Sequence, residues 1–148
     1  MRLRIKMILD SMLLIYAFRA DAANHAAYLS WLDGVLRNGT RFGIPDVVFS
    51  AFIRITTNPK AQVHPSSMEG AIAFANVLRS RAGFFNAVPP RSHWNTFTGL
   101  CQQPGIVGND VTDAYIAALA IEYGLPLMTT DKGFRRFPGL SFRHPLEP

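Results

Sequence analysis

Residues 108–131 read GNDVTDAYIAALAIEYGLPLMTTD, and the fold turns on how this run is divided. DAYIAALAIEY (113–123) reads as a strongly apolar helix, with Asn109 or Asp110 available as its cap. Gly124 supplies the left-handed residue on which such a helix ends. LPLMTT then runs apolar over too short a span for a second helix and stops at Asp131, which marks a buried strand.

The same alternation continues outward in both directions. RIKMILD (4–10) has no helical period and ends on Asp10, so it reads as a strand, and SMLLIYAF (11–18) follows at once as a helix. Asn24 caps a second helix carrying Leu29, Leu32, Val35 and Leu36, which Asn38-Gly39-Thr40 stops. RFGIP (41–45) is a short strand, and Pro45 suits the first turn of a helix over DVVFSAFIRITT (46–57) that Asn58-Pro59 closes. Ser66 and Glu69 form a capping box for a helix to about Arg81, with Ile72, Val77 and Leu78 on its inner face. FFNAV (84–88) is a strand stopped by Pro89-Pro90, HWNTFTGLCQQ (93–103) a helix, and LSFR (140–143) a last strand. Strand-helix alternation of this kind predicts an α/β fold with a mostly parallel sheet. It predicts one domain over 1–148, with 1–6 an N-terminal extension if Met7 is the natural start.

Composition narrows the class. A chain of 148 residues that is 49% hydrophobic can bury a real core. Fifteen Lys and Arg against ten Asp and Glu give a net charge of +5, which favours polyanions such as nucleic acid. A single cysteine, Cys101, excludes an internal disulfide framework and a Cys-rich zinc site, and fits a reducing compartment. Asp10 interrupts the first apolar run, no cleavage pattern follows it, and no run is long enough to span a bilayer. The expected location is the cytoplasm, away from membranes.

The acids fall in a pattern. In parallel α/β folds, ligands gather where strands end. Asp10, Asp46 and Asp131 each follow a strand, and Asp110 and Asp113 open a helix that can point at the same edge. Carboxylates collected without matching bases repel one another unless a hard divalent cation, Mg²⁺ or Mn²⁺, sits between them. The plain alternative is that each acid only caps a helix, a gain of roughly 0.5–2 kcal/mol. Asp113 departs furthest from that alternative. It precedes the close-packing AYIAALA face, and its i,i+3 pairing with Asp110 costs a few tenths of a kcal/mol if no cation intervenes. His25, His64, His93 and His144 show no ligand spacing and are expected at the surface or as caps, and Cys101 is expected in the core.

Several of these stretches together, MILDSMLLIYAFR (7–19), GIPDVVFSAFIRITTNP (43–59), GNDVTDAYIAALAIEYGLPLMTTDKGFRRFPGL (108–140) and the closing HPL (144–146), resemble the PIN-domain toxins of the VapC type. The segment from Gly108 to Leu140 carries the likeness most specifically. The resemblance implies a PIN-like three-layer α/β/α sandwich and an Mg²⁺- or Mn²⁺-dependent endoribonuclease. It further implies the toxin half of a toxin–antitoxin pair, held by a VapB-like antitoxin. The family's four acidic positions fall here on Asp10, Ala51, Asp113 and Asp131. Two departures stand out. The family's Asp-x-Asn is Asp10-Ser11-Met12, and Ser11 is expected to point elsewhere; the Glu of the third helix is Ala51. Asp46, five residues earlier, lies ~140° round that helix, so Asp110 or Asp46 is left to complete a set with Asp10, Asp113 and Asp131 as catalytic residues.

Lys132, Arg135 and Arg136 follow Asp131 and are candidates for the RNA backbone, as are Arg19 and Arg54, although Arg54 could pair with a structural acid. Trp31 and Trp94 read as core, while the Trp31 and Tyr28 face could instead accept the antitoxin or a second copy in a homodimer. Two rival functions follow. Met12 and Ala51 suit a degenerate PIN domain that binds antitoxin or RNA without cutting. A metal-dependent phosphatase lacks any Gly-rich phosphate loop.

Overall fold

The computed structural model describes residues 6–147. Five strands, β1 (Lys6–Leu9), β2 (Arg41–Gly43), β3 (Phe84–Phe85), β4 (Leu127–Met128) and β5 (Phe142–Arg143), form one sheet in the order β3-β2-β1-β4-β5. Every pairing is parallel. Helices α1 (Ser11–Phe18), α2 (His25–Arg37), α3 (Asp46–Thr57), α4 (Met68–Ser80), α5 (His93–Cys101) and α6 (Asp110–Tyr123) flank it, giving the three-layer α/β/α sandwich. No described helix is long and apolar enough to cross a membrane.

The central strands are short because both faces are covered. In β1, Ile8 and Leu9 are fully buried, as are Phe42 in β2 and Leu127 in β4, so these strands read as continuous apolar runs. The expected strands extend two to four residues further than the pleated segments, since the chain leaves the sheet at once to start the next helix or loop. Backbone bonds continue past the ends, from Asp10 N to Met128 O and from Thr129 N to Arg143 O, both at 3.0 Å. Arg4 and Ile5, part of the expected first strand, lie outside the described residues.

Helix α6 is buried nearly all round: Ala114 and the run Ile116–Ala120 are within the core. Four buried alanines, Ala114, Ala117, Ala118 and Ala120, let α6 lie close to its neighbours, and Gly124, at φ 65°, ends it in the left-handed region as expected.

Local chemistry corrects several expectations. The cap of α4 is Ser67, whose Oγ accepts from Gly70 N at 3.0 Å, while the Ser66 hydroxyl is taken up by Arg19. The inner face of α4 is Ala71, Ala75 and Leu78; Ile72 and Val77 face outward. Asn24 sits at φ 58° and makes no side-chain cap. Trp94 is 66% exposed. His93 is buried, its Nε2 paired with the Tyr115 carbonyl so that it ties α5 to α6. The segment Lys132–Arg136, expected as a loop, is a turn of 3₁₀ helix.

Candidate active site

Topology decides where the acids meet. The chain runs from β1 outward through β2 to β3, then returns to β4 on the other side of β1, so the order reverses between β1 and β4. At such a switch point the connections diverge and leave a crevice at the carboxyl ends of the strands. Asp10 directly follows β1, Asp131 follows β4 by two residues, and α6, which feeds β4, begins at that same edge with Asp110 and Asp113.

Asp10 is the most confined of them, at 5% exposure. One carboxylate oxygen accepts from Ser11 N at 2.8 Å and so caps α1; the other accepts from the Thr129 hydroxyl at 2.7 Å. Burial raises its carboxyl above the ordinary range, those two bonds oppose the rise, and the charge of Asp131 adds to it. Asp113 is likewise raised, chiefly by burial; Arg136 opposes this, and the charges of Asp10 and Asp131 reinforce it. Asp10, Asp113 and Asp131 therefore share one electrostatic environment.

Thr129 is the member that sequence reasoning missed. Its hydroxyl donates to Asp10 and accepts from Asp131 N at 3.1 Å, which links the ends of β1 and β4 through one buried atom. The signal available was a small hydroxyl residue closing an apolar strand two positions before an acid, which is also what an ordinary turn looks like.

Arg136 lies against two of the acids. Its Nη2 donates to Asp110 Oδ1 and Asp113 Oδ2, both at 3.1 Å, with its guanidinium 4.6 Å from the centre of the Phe137 ring. Nη1 donates to the Gly133 carbonyl. A Cβ at Gly133 would lie 2.6 Å from Arg136 Nη1 and 2.8 Å from Asp131 Oδ1, so only glycine leaves room for the two side chains to sit as they do. Asp131 meanwhile turns back to accept from Gly133 N at 2.7 Å.

The remaining candidates divide. Lys132 and Arg135 are exposed beside the crevice, on a recess they share with Thr129, Asp131 and His144. Arg54 is exposed on α3. Arg19 leaves the set: it is buried and spends its guanidinium on Asp21, Ser66 and the His64 carbonyl, which also holds the Asp21 carboxyl below its usual range. Asp46 is 84% exposed and meets Arg79 at 3.4 Å. Ala51 and Met12 are half-buried and bring no polar atom.

All three acids are hard oxygen donors, and the raised carboxyls of Asp10 and Asp113 show negative charge crowded into a partly dry crevice, which is the chemistry of a divalent-cation site. Among the described residues no three Asp, Glu, His or Cys side chains are gathered closely enough to hold an ion as they lie. Asp110 and Asp113 face Arg136 and Asp131 faces Gly133. By its oxygen chemistry, the donor set of Asp10, Asp113 and Asp131 suits a hard dication.

A doubly wound parallel sheet with acids at its switch point is the architecture of the PIN domain, and residues 7–140 match that family's model: the chain belongs to the PIN domain family. Within it the kinship is with the VapC type. Ribonuclease VapC43 of Mycobacterium tuberculosis is 35% identical over 138 residues, covering 93% of this chain and 94% of the relative. Ribonuclease VapC37 of the same organism is 30% identical over 138 residues, covering 93% and 96%. Among solved structures, VapBC2 from Rickettsia felis, bound to a DNA fragment from its promoter, superposes with a TM-score of 0.67 at 20% identity over 95% of this chain and 98% of that one. Mycobacterium tuberculosis VapC20, titled a sarcin-ricin loop cleaving toxin, gives 0.66 at 13% identity over 91% and 98%.

Proposed function

We propose that the chain is an Mg²⁺- or Mn²⁺-dependent endoribonuclease, the toxin of a toxin–antitoxin pair, active in the cytoplasm. The observation that carries this reading is the convergence of Asp10, Asp113 and Asp131 on the β1/β4 switch point with their charges coupled. The ribonuclease names of its relatives and the VapBC complexes among its structural neighbours support it.

Asp10, Asp113 and Asp131 would hold the cation, with Asp110 as the fourth acid. A bound dication supplies a coordinated water of lowered pKa and offsets charge on the phosphodiester. Asp10 is the fixed member, since its cap to Ser11 and its bond to Thr129 leave it no freedom to turn. Asp113 would join the cation's ligands through Oδ2 once Arg136 lets go of that oxygen. Lys132 and Arg135 neutralise flanking phosphates, and released Arg136 joins them. A VapB-like antitoxin is the partner, and pairing of two copies as a homodimer goes with the same reading.

Purified protein given RNA with Mg²⁺, with Mn²⁺ or with EDTA, beside Asp113→Asn, is the test. Cleavage confined to the metal lanes of the unaltered chain is the expected result, and equal cleavage in all lanes removes the claim. Met12 and Ala51 favour a second reading, a PIN domain that binds without cutting. Under it, Met12→Asn with Ala51→Glu creates activity that the natural chain lacks, whereas equal cutting by both excludes it.

A further inference from the structure

A second cleft opens on the same edge of the sheet, between the start of α3 and the loop leaving β3. It encloses about 200 Å³. Ile8 pairs with Gly43, and Gly43 with Phe85. Carried two residues onward, that register sets Asp10, Pro45 and Ala87 at one level, and Pro45 and Ala87 both line the cleft. With strands ~4.8 Å apart, the cleft lies roughly 5–10 Å along the edge from Asp10.

Its lining combines apolar side chains with one aromatic ring. Pro45, Val47 and Val88 make it apolar, and Tyr115 supplies an aromatic wall. That ring is fixed edge-on by Phe97 at 5.4 Å and His93 at 4.5 Å between centroids. Tyr115 is on α6, two residues beyond Asp113, so one rigid helix positions both an acid and the wall. Two polar groups stand at the rim. Asp46 has one long contact, 3.4 Å, to Arg79, whose guanidinium rests 5.3 Å over Phe84. The Asn86 amide makes no hydrogen bond within the protein among the described residues.

We propose that this cleft takes one unpaired guanine of the RNA, next to the phosphate that is cut. The inference rests on the ribonuclease reading and gives that same site its base preference. A carboxylate only accepts, and guanine alone among the bases offers N1–H and N2–H side by side; the Asn86 amide then donates to O6. Uracil presents a single N–H between two carbonyls, which a carboxylate repels. Recognition of a splayed-out base by stacking on an aromatic side chain and by its Watson–Crick edge is how single-stranded RNA is read. Asp46, expected from the sequence as a cation ligand, becomes the group that chooses the base.

The experiment uses the Asp113→Asn protein with short single-stranded RNAs that differ only in one base, G, A, C or U, followed by fluorescence anisotropy. The G-containing RNA is expected to bind about tenfold more tightly than the U-containing one, the lower end of what one bidentate base contact gives. Adding Asp46→Ala or Asn86→Ala brings G down to the level of U. In parallel, cuts by the unaltered chain on a long RNA fall beside G. Binding and cleavage with no base preference, or a G preference that survives Asp46→Ala, overturns the inference and leaves the ribonuclease reading intact. Neither binding nor cleavage of any RNA overturns both.

Discussion

Asp10 shows how one position serves both structure and chemistry. As the cap of α1 it is what any helix wants; as a carboxylate at 5% exposure beside other acids it is costly to keep charged. The sign of its pH dependence follows. Its pKa in the folded chain is raised above 3.8, so between 3.8 and that raised value the folded state holds a proton the unfolded chain has lost. Stability from this group is therefore greatest at low pH and falls as pH rises through the window, and Asp113 adds a slope of the same sign. In EDTA, Asp10→Asn is expected to raise the thermal midpoint at pH 7 and to lose that advantage as pH falls towards 4. A midpoint shift that is the same at both pH values removes the burial argument. Asp10 and Asp131 were legible as residues because each closes an apolar run. Thr129 and the contacts of Arg136 were not, since both act across long sequence separations, 119 residues between Thr129 and Asp10, for which a local pattern holds no trace.

At the level of elements, caps, helix formers and spacing located all six α-helices but not the 3₁₀ turn at Lys132–Arg136, and the failures are informative. The S-x-x-E pattern picked Ser66, yet the neighbouring Ser67 caps α4 because a buried arginine from α1's end claims Ser66 first. Ile72 and Val77 were placed inside α4 by hydrophobicity, whereas the narrow gap against α3 admits Ala71 and Ala75. Small residues are chosen for closeness, and hydropathy alone does not register that. Strand β2 carries a related constraint. A Cβ at Gly43 would stand 2.6 Å from the Phe85 ring and 2.9 Å from Ile8 Cδ1. Gly43→Ala should therefore destabilise the protein by about 1–3 kcal/mol, the usual cost of overpacking. Denaturant melts check this, and an unchanged midpoint would mean that Phe85 swings away freely.

For the molecule as a whole, the α/β class and parallel sheet were legible from alternation, but the strand order β3-β2-β1-β4-β5 was not. Order depends on which edge each crossover returns to, and it is the reversal at β1 that gathers acids from three distant parts of the chain. Around that negative crevice the protein is positive overall, at +5. Its hold on RNA should weaken steeply with salt, and Lys132→Ala or Arg135→Ala should each reduce the slope of log K against log salt by about one. An unchanged slope in both variants would place the RNA path elsewhere. Arg54→Ala provides the comparison on α3.

The guanidinium spanning Asp110 and Asp113 gives this protein a built-in counter-ion. One side chain thereby offsets the like-charge repulsion that two carboxylates a helical turn apart would otherwise feel, with no external ion required for that. Under the proposed reading, an inorganic cation entering the crevice would have to displace this tethered organic one.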